Sequence, residues 1–125
     1  SSESAYQIPK EMIHYGMSKA AQIAVARGIA ELTKNTCVTS NSIILGPSNS
    51  EGVTTFLSDF AKEQGISFEE MQIDFFANAR PTSLLQRFTD VEEIANLIVY
   101  TASSLSSATN GAVLRADAGV VQGAF

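Results

Sequence analysis

The sequence holds one cysteine and one histidine in 125 residues. Cys37 alone excludes an internal disulfide or a multi-cysteine metal site, and His14 has no second imidazole with which to share an ion, so no metal centre is expected. Cys37 itself reads as a small buried residue at the start of a strand. Basic residues are scarce as well: 8 Lys plus Arg stand against 13 Asp plus Glu, a formal charge of −5 with a sequence pI near 4.7. Nucleic-acid backbones are gripped by clusters of Lys and Arg, and the chain has none, which removes nucleic acid from the expected partners. No apolar run approaches the roughly 20 residues that span a bilayer, and there is no signal-peptide pattern. The expected setting is the cytoplasm, away from any membrane. Internal repeats and low-complexity segments are absent too.

What the chain does have is His14-Tyr15-Gly16-Met17-Ser18-Lys19-Ala20-Ala21, opening the longest helical pattern in the sequence. Helical residues four apart share a face, so Tyr15 and Lys19 are expected to present a phenol and an ammonium to one point. A phenol ordinarily ionises at about pH 10, but a cation roughly 4 Å away at an effective dielectric of about 20 favours the phenolate by about 4 kcal/mol. That pairing suits proton exchange with a carbonyl or an alcohol near neutrality. Taken alone, Tyr-x-x-x-Lys is more often a solvated helical pair. Ser2, thirteen positions before Tyr15, lies where a strand end opens into a loop, and its hydroxyl is a second candidate for the same reacting oxygen; by itself it would be read as a loop hydroxyl making a local turn bond.

The remaining pattern alternates helix and strand. Residues 1–11 read as a loop stiffened by Pro9, and residues 12–34 as a helix whose alanines and Gly28 invite close packing on the sheet and on a second helix or subunit. Residues 37–45 read as a buried strand, and residues 53–64 as a helix stopped by Gly65. Ser67 and Glu70 have capping-box spacing for a helix to about Ala79, and Thr89 and Glu92 repeat it for a helix over 90–103 with Val91, Ile94, Ala95, Ile98 and Val99 inward. A strand over 112–116 and a docked tail, Val120 to Phe125, complete the chain. Helices between strands imply parallel pairing. The phenylalanines of the helical pair between Ser50 and Pro81 read first as core and second as an apolar wall for a lipophilic ketone or alcohol.

Ser2, Tyr15 and Lys19 at this spacing resemble the catalytic residues of short-chain dehydrogenases/reductases. The likeness continues through Val38–Pro47, which is similar to that family's strand and nicotinamide loop, through Arg87–Ala95, similar to its last helix, and through Thr109–Gly119, similar to its last strand. The resemblance implies an α/β fold, the C-terminal portion of a Rossmann-like doubly wound parallel sheet, with residues 1–125 a single partial domain and the dinucleotide-binding N-terminal half absent. It implies hydride transfer between NAD or NADP and a small carbonyl or alcohol substrate. Tyr15 is then the general acid/base, Lys19 tunes it and bonds the cofactor ribose, and Ser2 orients and polarises the carbonyl. Gly46, Pro47 and Ser48 supply the loop for the carboxamide, and Ser50 a hydroxyl for that group or the pyrophosphate. Three positions depart from the family pattern: Leu45 stands for a usual Pro, Ser40 for a usual Val and Ala118 for a usual Gly. The sequence also lacks the glycine-rich strand-to-helix turn that seats a pyrophosphate, so the chain by itself is expected to bind dinucleotide weakly or not at all. Two readings stand: the catalytic half of an oxidoreductase, or a non-catalytic structural remnant of that fold. An uncovered sheet edge leads either one to expect a homo-oligomer or a companion chain carrying the N-terminal half.

Overall fold

The alanine-rich run after Met12 folds as the longest helix, α1 (Ile13–Leu32), in a computed structural model that describes residues 1–124. Before it, Glu3–Ala5 form one 3-10 turn capped by the Ser2 hydroxyl, where the sequence suggested an open loop. Strand β1 (Ser42–Leu45) and strand β2 (Val113–Ala116) pair in parallel, with Ser42 opposite Val113 and Leu45 opposite Ala116. On the other edge of β1, Ser2 makes a parallel bridge to Leu45, and the Ser1 backbone nitrogen donates to the Ile43 carbonyl at 2.8 Å. The expected two parallel strands and the stub at Ser1 and Ser2 are therefore present, with each connection crossing through helix.

β1 is shorter than the expected strand over 37–45. The residues before it spend their hydrogen bonds on side-chain partners that rival a ladder. Ser40 N–H donates to Asn110 Oδ1 at 2.8 Å, Ser40 Oγ to the Ala26 carbonyl at 3.0 Å, and Asn41 Nδ2 to the Thr109 carbonyl at 2.9 Å. Cys37 is exposed there, not buried as its residue type suggested.

Between the strands lie α2 (Glu51–Gln64), α3 (Phe68–Asn78) and α4 (Val91–Ala102). Gly65, at φ 67°, closes α2 in the left-handed conformation that glycine tolerates best, and Ser67 with Glu70 forms the expected capping box. The α2–α3 hairpin holds the aromatic core: Leu57, Ala61, Met71 and Phe76 are buried against Phe88, with Phe68 and Phe75 packed on them. The rings of Phe75 and Phe76 each sit 5.1 Å from that of Phe88. The core role expected of the helical pair's phenylalanines is filled by Phe68, Phe75 and Phe76, whereas Phe56 and Phe60 are exposed.

The box at α4 falls one residue later than Thr89 and Glu92 suggested: Asp90 N–H donates to Glu93 Oε2 at 2.8 Å. Thr89 is otherwise engaged, buried with both its N–H and Oγ1 on the Pro47 carbonyl at 3.0 and 3.2 Å. Of the α4 residues expected inward only Ile94 is buried; Val91, Ala95, Ile98 and Val99 are exposed, because two short strands cannot cover that face. The same is true of α1, where Gly28 has no neighbour that an added Cβ would meet among the described residues. In the tail, Val120 and Val121 are buried and Gln122 to Ala124 are not; Phe125 lies outside the described residues.

Candidate active site

One cavity, of about 350 Å³, collects Ser2, Tyr15, Gly46, Pro47 and Ser48, together with Glu3, Arg80 and the aromatic wall of Phe56, Phe75 and Phe88. Each side chain arrives there for a local reason. Gly16 is buried against the 3-10 turn: a Cβ on it would sit 2.8 Å from the Ser4 carbonyl oxygen and 2.7 Å from Ile8 Cγ2. This contact seats the first turn of α1 on the loop after Ser2 and brings Tyr15, the preceding residue, to the same cavity. Ser1 Oγ adds a bond to the Lys19 carbonyl at 2.8 Å, pinning the stub to the second turn.

Lys19 Nζ lies 5.1 Å from the centroid of the Tyr15 ring, so phenol and ammonium do occupy one helix face. At that distance the cation is attracted to the ring's electron-rich face, worth about 0.5–1 kcal/mol at an exposed site. Lys19 does not line the cavity; it backs Tyr15. Ser2 is buried. Its Oγ donates to Glu3 Oε2 at 2.5 Å and accepts from Ser4 N–H at 3.2 Å. Glu3, also buried, pairs through Oε1 with Arg80 Nε at 2.9 Å.

The loop after β1 is held close to the loop after β2. A Cβ on Gly46 would stand 2.6 Å from the Asp117 carbonyl oxygen, so only a residue without one fits there unstrained. Asp117 in turn accepts from Gly119 N–H at 3.2 Å and Val121 N–H at 3.0 Å, which anchors the tail. Ser48 bridges Thr89, and Asn49 N–H donates to the Thr89 carbonyl at 2.8 Å. Ser50 is the N-cap residue of α2 and is not among the residues lining the cavity.

Glu3 and Arg80 were not singled out from the sequence. They lie 77 positions apart, and only the α2–α3 hairpin, folding back over the loop, brings the guanidinium to the carboxylate. Among the described residues no group of three or more His, Cys, Asp or Glu could hold a metal ion, and no helix is long and apolar enough to cross a membrane.

A family model described as Enoyl-(Acyl carrier protein) reductase matches residues 1–121. The chain belongs to the short-chain dehydrogenase/reductase family. Its relatives include two uncharacterized oxidoreductases of Bacillus subtilis: YvaG, 40% identical over 99% of this chain and 47% of the relative, and YvrD, 42% identical over 89% and 42%. The chain spans about half the length of these relatives. Its fold is similar to part of L-sorbose reductase from Gluconobacter frateurii, solved with NADPH and L-sorbose. The TM-score is 0.86 at 20% identity, covering 98% of this chain and 45% of that one. The short-chain dehydrogenase/reductase chain described here is therefore α/β, with the parallel strands of that Rossmann-type sheet.

Proposed function

We propose that this chain supplies the proton-transfer side of an NAD(P)-dependent oxidoreductase, interconverting a small carbonyl compound and its alcohol. The observation that carries this reading is the placement of Tyr15 and Ser2 at one cavity with Lys19 on the Tyr15 ring. In the reducing direction the Tyr15 hydroxyl gives its proton to the carbonyl oxygen as hydride reaches the carbon. The C=O double bond becomes a C–OH single bond, and the proton is replaced from solvent. Ser2 contacts the same oxygen, and Lys19 holds Tyr15 and reaches the ribose.

The nicotinamide group, when bound, provides the hydride. The residues fit its reactive end: Gly46, Pro47 and Ser48 form one wall of the cavity, and Asn49 Oδ1, next in the loop though outside the cavity lining, is buried without a hydrogen-bond partner among the described residues, an acceptor suited to an amide N–H. The described residues offer no glycine-rich strand-to-helix turn for the pyrophosphate; the choice between NAD and NADP rests on the group that meets the ribose 2′ position, which such a turn does not read. Phe56, Phe75 and Phe88 favour a lipophilic substrate, since apolar walls with few polar groups select apolar ligands.

Turnover of a panel of aliphatic and aryl ketones with NADH and NADPH tests the reading. Tyr15→Phe in the full-length protein should lower kcat/KM by a factor of roughly 100 or more while the melting temperature stays put. Retained activity in that variant would refute Tyr15 as the proton donor.

The scaffold reading has its own observation. Leu32, Val99 and Met17 are 83%, 68% and 63% exposed on α1 and α4, more apolar surface than a helix normally leaves in water. A second copy of the chain, or a companion carrying further strands, would cover it. NADH or NADPH titrated against this chain together with a companion supplying the glycine-rich half, followed by cofactor fluorescence, separates the two: saturable binding supports a competent site, and none leaves the scaffold. Light scattering that reports a monomer across a wide concentration range would count against the covering partner.

A further inference from the structure

Ser2 has one hydroxyl proton, and in this structure it is spent. The proton goes to Glu3 Oε2 at 2.5 Å, an oxygen that can only accept while the carboxylate is paired with Arg80. The other carboxylate oxygen is held by Arg80 Nε at 2.9 Å, and Arg80 is itself fixed by a bond from its Nη1 to the Ala79 carbonyl at 2.8 Å. One of the lone pairs of Ser2 Oγ is taken by Ser4 N–H at 3.2 Å. Ser2, Glu3 and Arg80 all line the Tyr15 cavity. A hydrogen bond to a charged acceptor is about twice as strong as one to a neutral carbonyl.

We propose that Glu3, clamped by Arg80, is a positioning residue that holds the Ser2 hydroxyl proton off the cavity, leaving Tyr15 as the site's leading donor to a carbonyl oxygen. This inference rests on the oxidoreductase reading above and adds a control on it. A bound carbonyl must compete with a carboxylate for the Ser2 proton, so the contribution of Ser2 is restrained by its neighbour in sequence.

Glu3→Gln reverses the polarity of one bond. The amide oxygen still accepts from Arg80 Nε, while the amide NH2 donates to Ser2 Oγ and frees the hydroxyl proton for the cavity. In the full-length protein, with cyclohexanone as the ketone probe, kcat/KM should rise roughly fivefold, the scale of one net hydrogen bond, because the hydroxyl no longer has to leave an acceptor to reach the ketone. Ser2→Ala should cost roughly fivefold more in the Glu3→Gln background than in the wild type. A fall in kcat/KM on Glu3→Gln, or the same cost of Ser2→Ala in both backgrounds, would overturn the proposal. Tyr15→Phe run beside these variants keeps the two claims apart, because it tests the donor and leaves the Glu3–Ser2 bond in place. A measurement independent of turnover is neutron diffraction of the wild type: a Ser2 hydroxyl deuterium aimed at Glu3 supports the proposal, and one aimed into the cavity refutes it.

Discussion

The α2–α3 hairpin and the outer faces of α1 and α4 are built from similar residues and end in opposite states. In the hairpin, Leu57, Met71, Phe76 and Phe88 meet partners supplied by the same chain and are buried. On α1 and α4, Ile13, Met17, Leu32, Ile98 and Val99 stand in water. The hairpin closes on itself through a short turn and a returning phenylalanine, whereas α1 and α4 carry more apolar surface than one two-stranded sheet covers. Apolar patterning thus reports what a helix is meant to touch in the assembled molecule, and the accessible surface reports what this chain provides.

The sharpest way to break that contrast is truncation on each side. Phe76→Ala, which empties a fully buried aromatic site, should destabilise by about 3–5 kcal/mol in urea unfolding. Leu32→Ala, on the open face, should change the same measurement by no more than about 0.5 kcal/mol unless a partner covers it. An effect of several kcal/mol at Leu32 would reveal that partner. Next in size is Gly46→Ala. The new methyl must push against Asp117 backbone, and about 1–3 kcal/mol should be lost, together with turnover as the loop moves off the cavity. Ala118→Gly should act in the other direction. Ala118 is buried and holds φ 56°, the left-handed region, where the resembled family has glycine. Relief of about 1–2 kcal/mol of strain, less the added freedom of glycine in the unfolded chain, leaves a gain of about 0.5 kcal/mol in thermal melts.

The smallest effect lies at the start of α4. Glu93 is held down to about 2 by hydrogen bonds from the Arg87 side chain and the Asp90 backbone. Because its folded value lies below the ordinary 4.5, its contribution to stability is complete above pH 4.5 and is lost as pH falls towards 2. NMR titration of the Glu93 side chain should give a midpoint near 2, moving back up towards 4.5 in Arg87→Ala.

Local chemistry was the most legible part of the chain. Ser67 and Glu70 announced their helix start, Gly65 its stop, and the four-residue spacing of Tyr15 and Lys19 placed them on one face, all through interactions within a turn or two. What escaped was set by distant contacts. Thr89 looked like a cap, but Pro47 claims its hydrogen bonds from 42 positions away. The segment from Cys37 to Asn41 looked like strand, but Asn110 and Thr109 offer it side-chain and turn partners instead. The site divides in the same manner. Ser2 and Tyr15 carried a recognisable spacing, while nothing near Glu3 in the sequence pointed to Arg80. Val91, Ala95, Ile98 and Val99 were expected inward and are exposed, because the sheet is only two strands wide among the described residues.

The ion pair between Arg80 and Glu3 also ties the helical hairpin to the turn after Ser2. Arg80 follows directly on α3, so any swing of the helical hairpin that widens the entrance must either carry the carboxylate with it or leave a poorly hydrated charge behind. Admission of a ligand and the direction of a serine proton are on this account geared to one another through a single guanidinium.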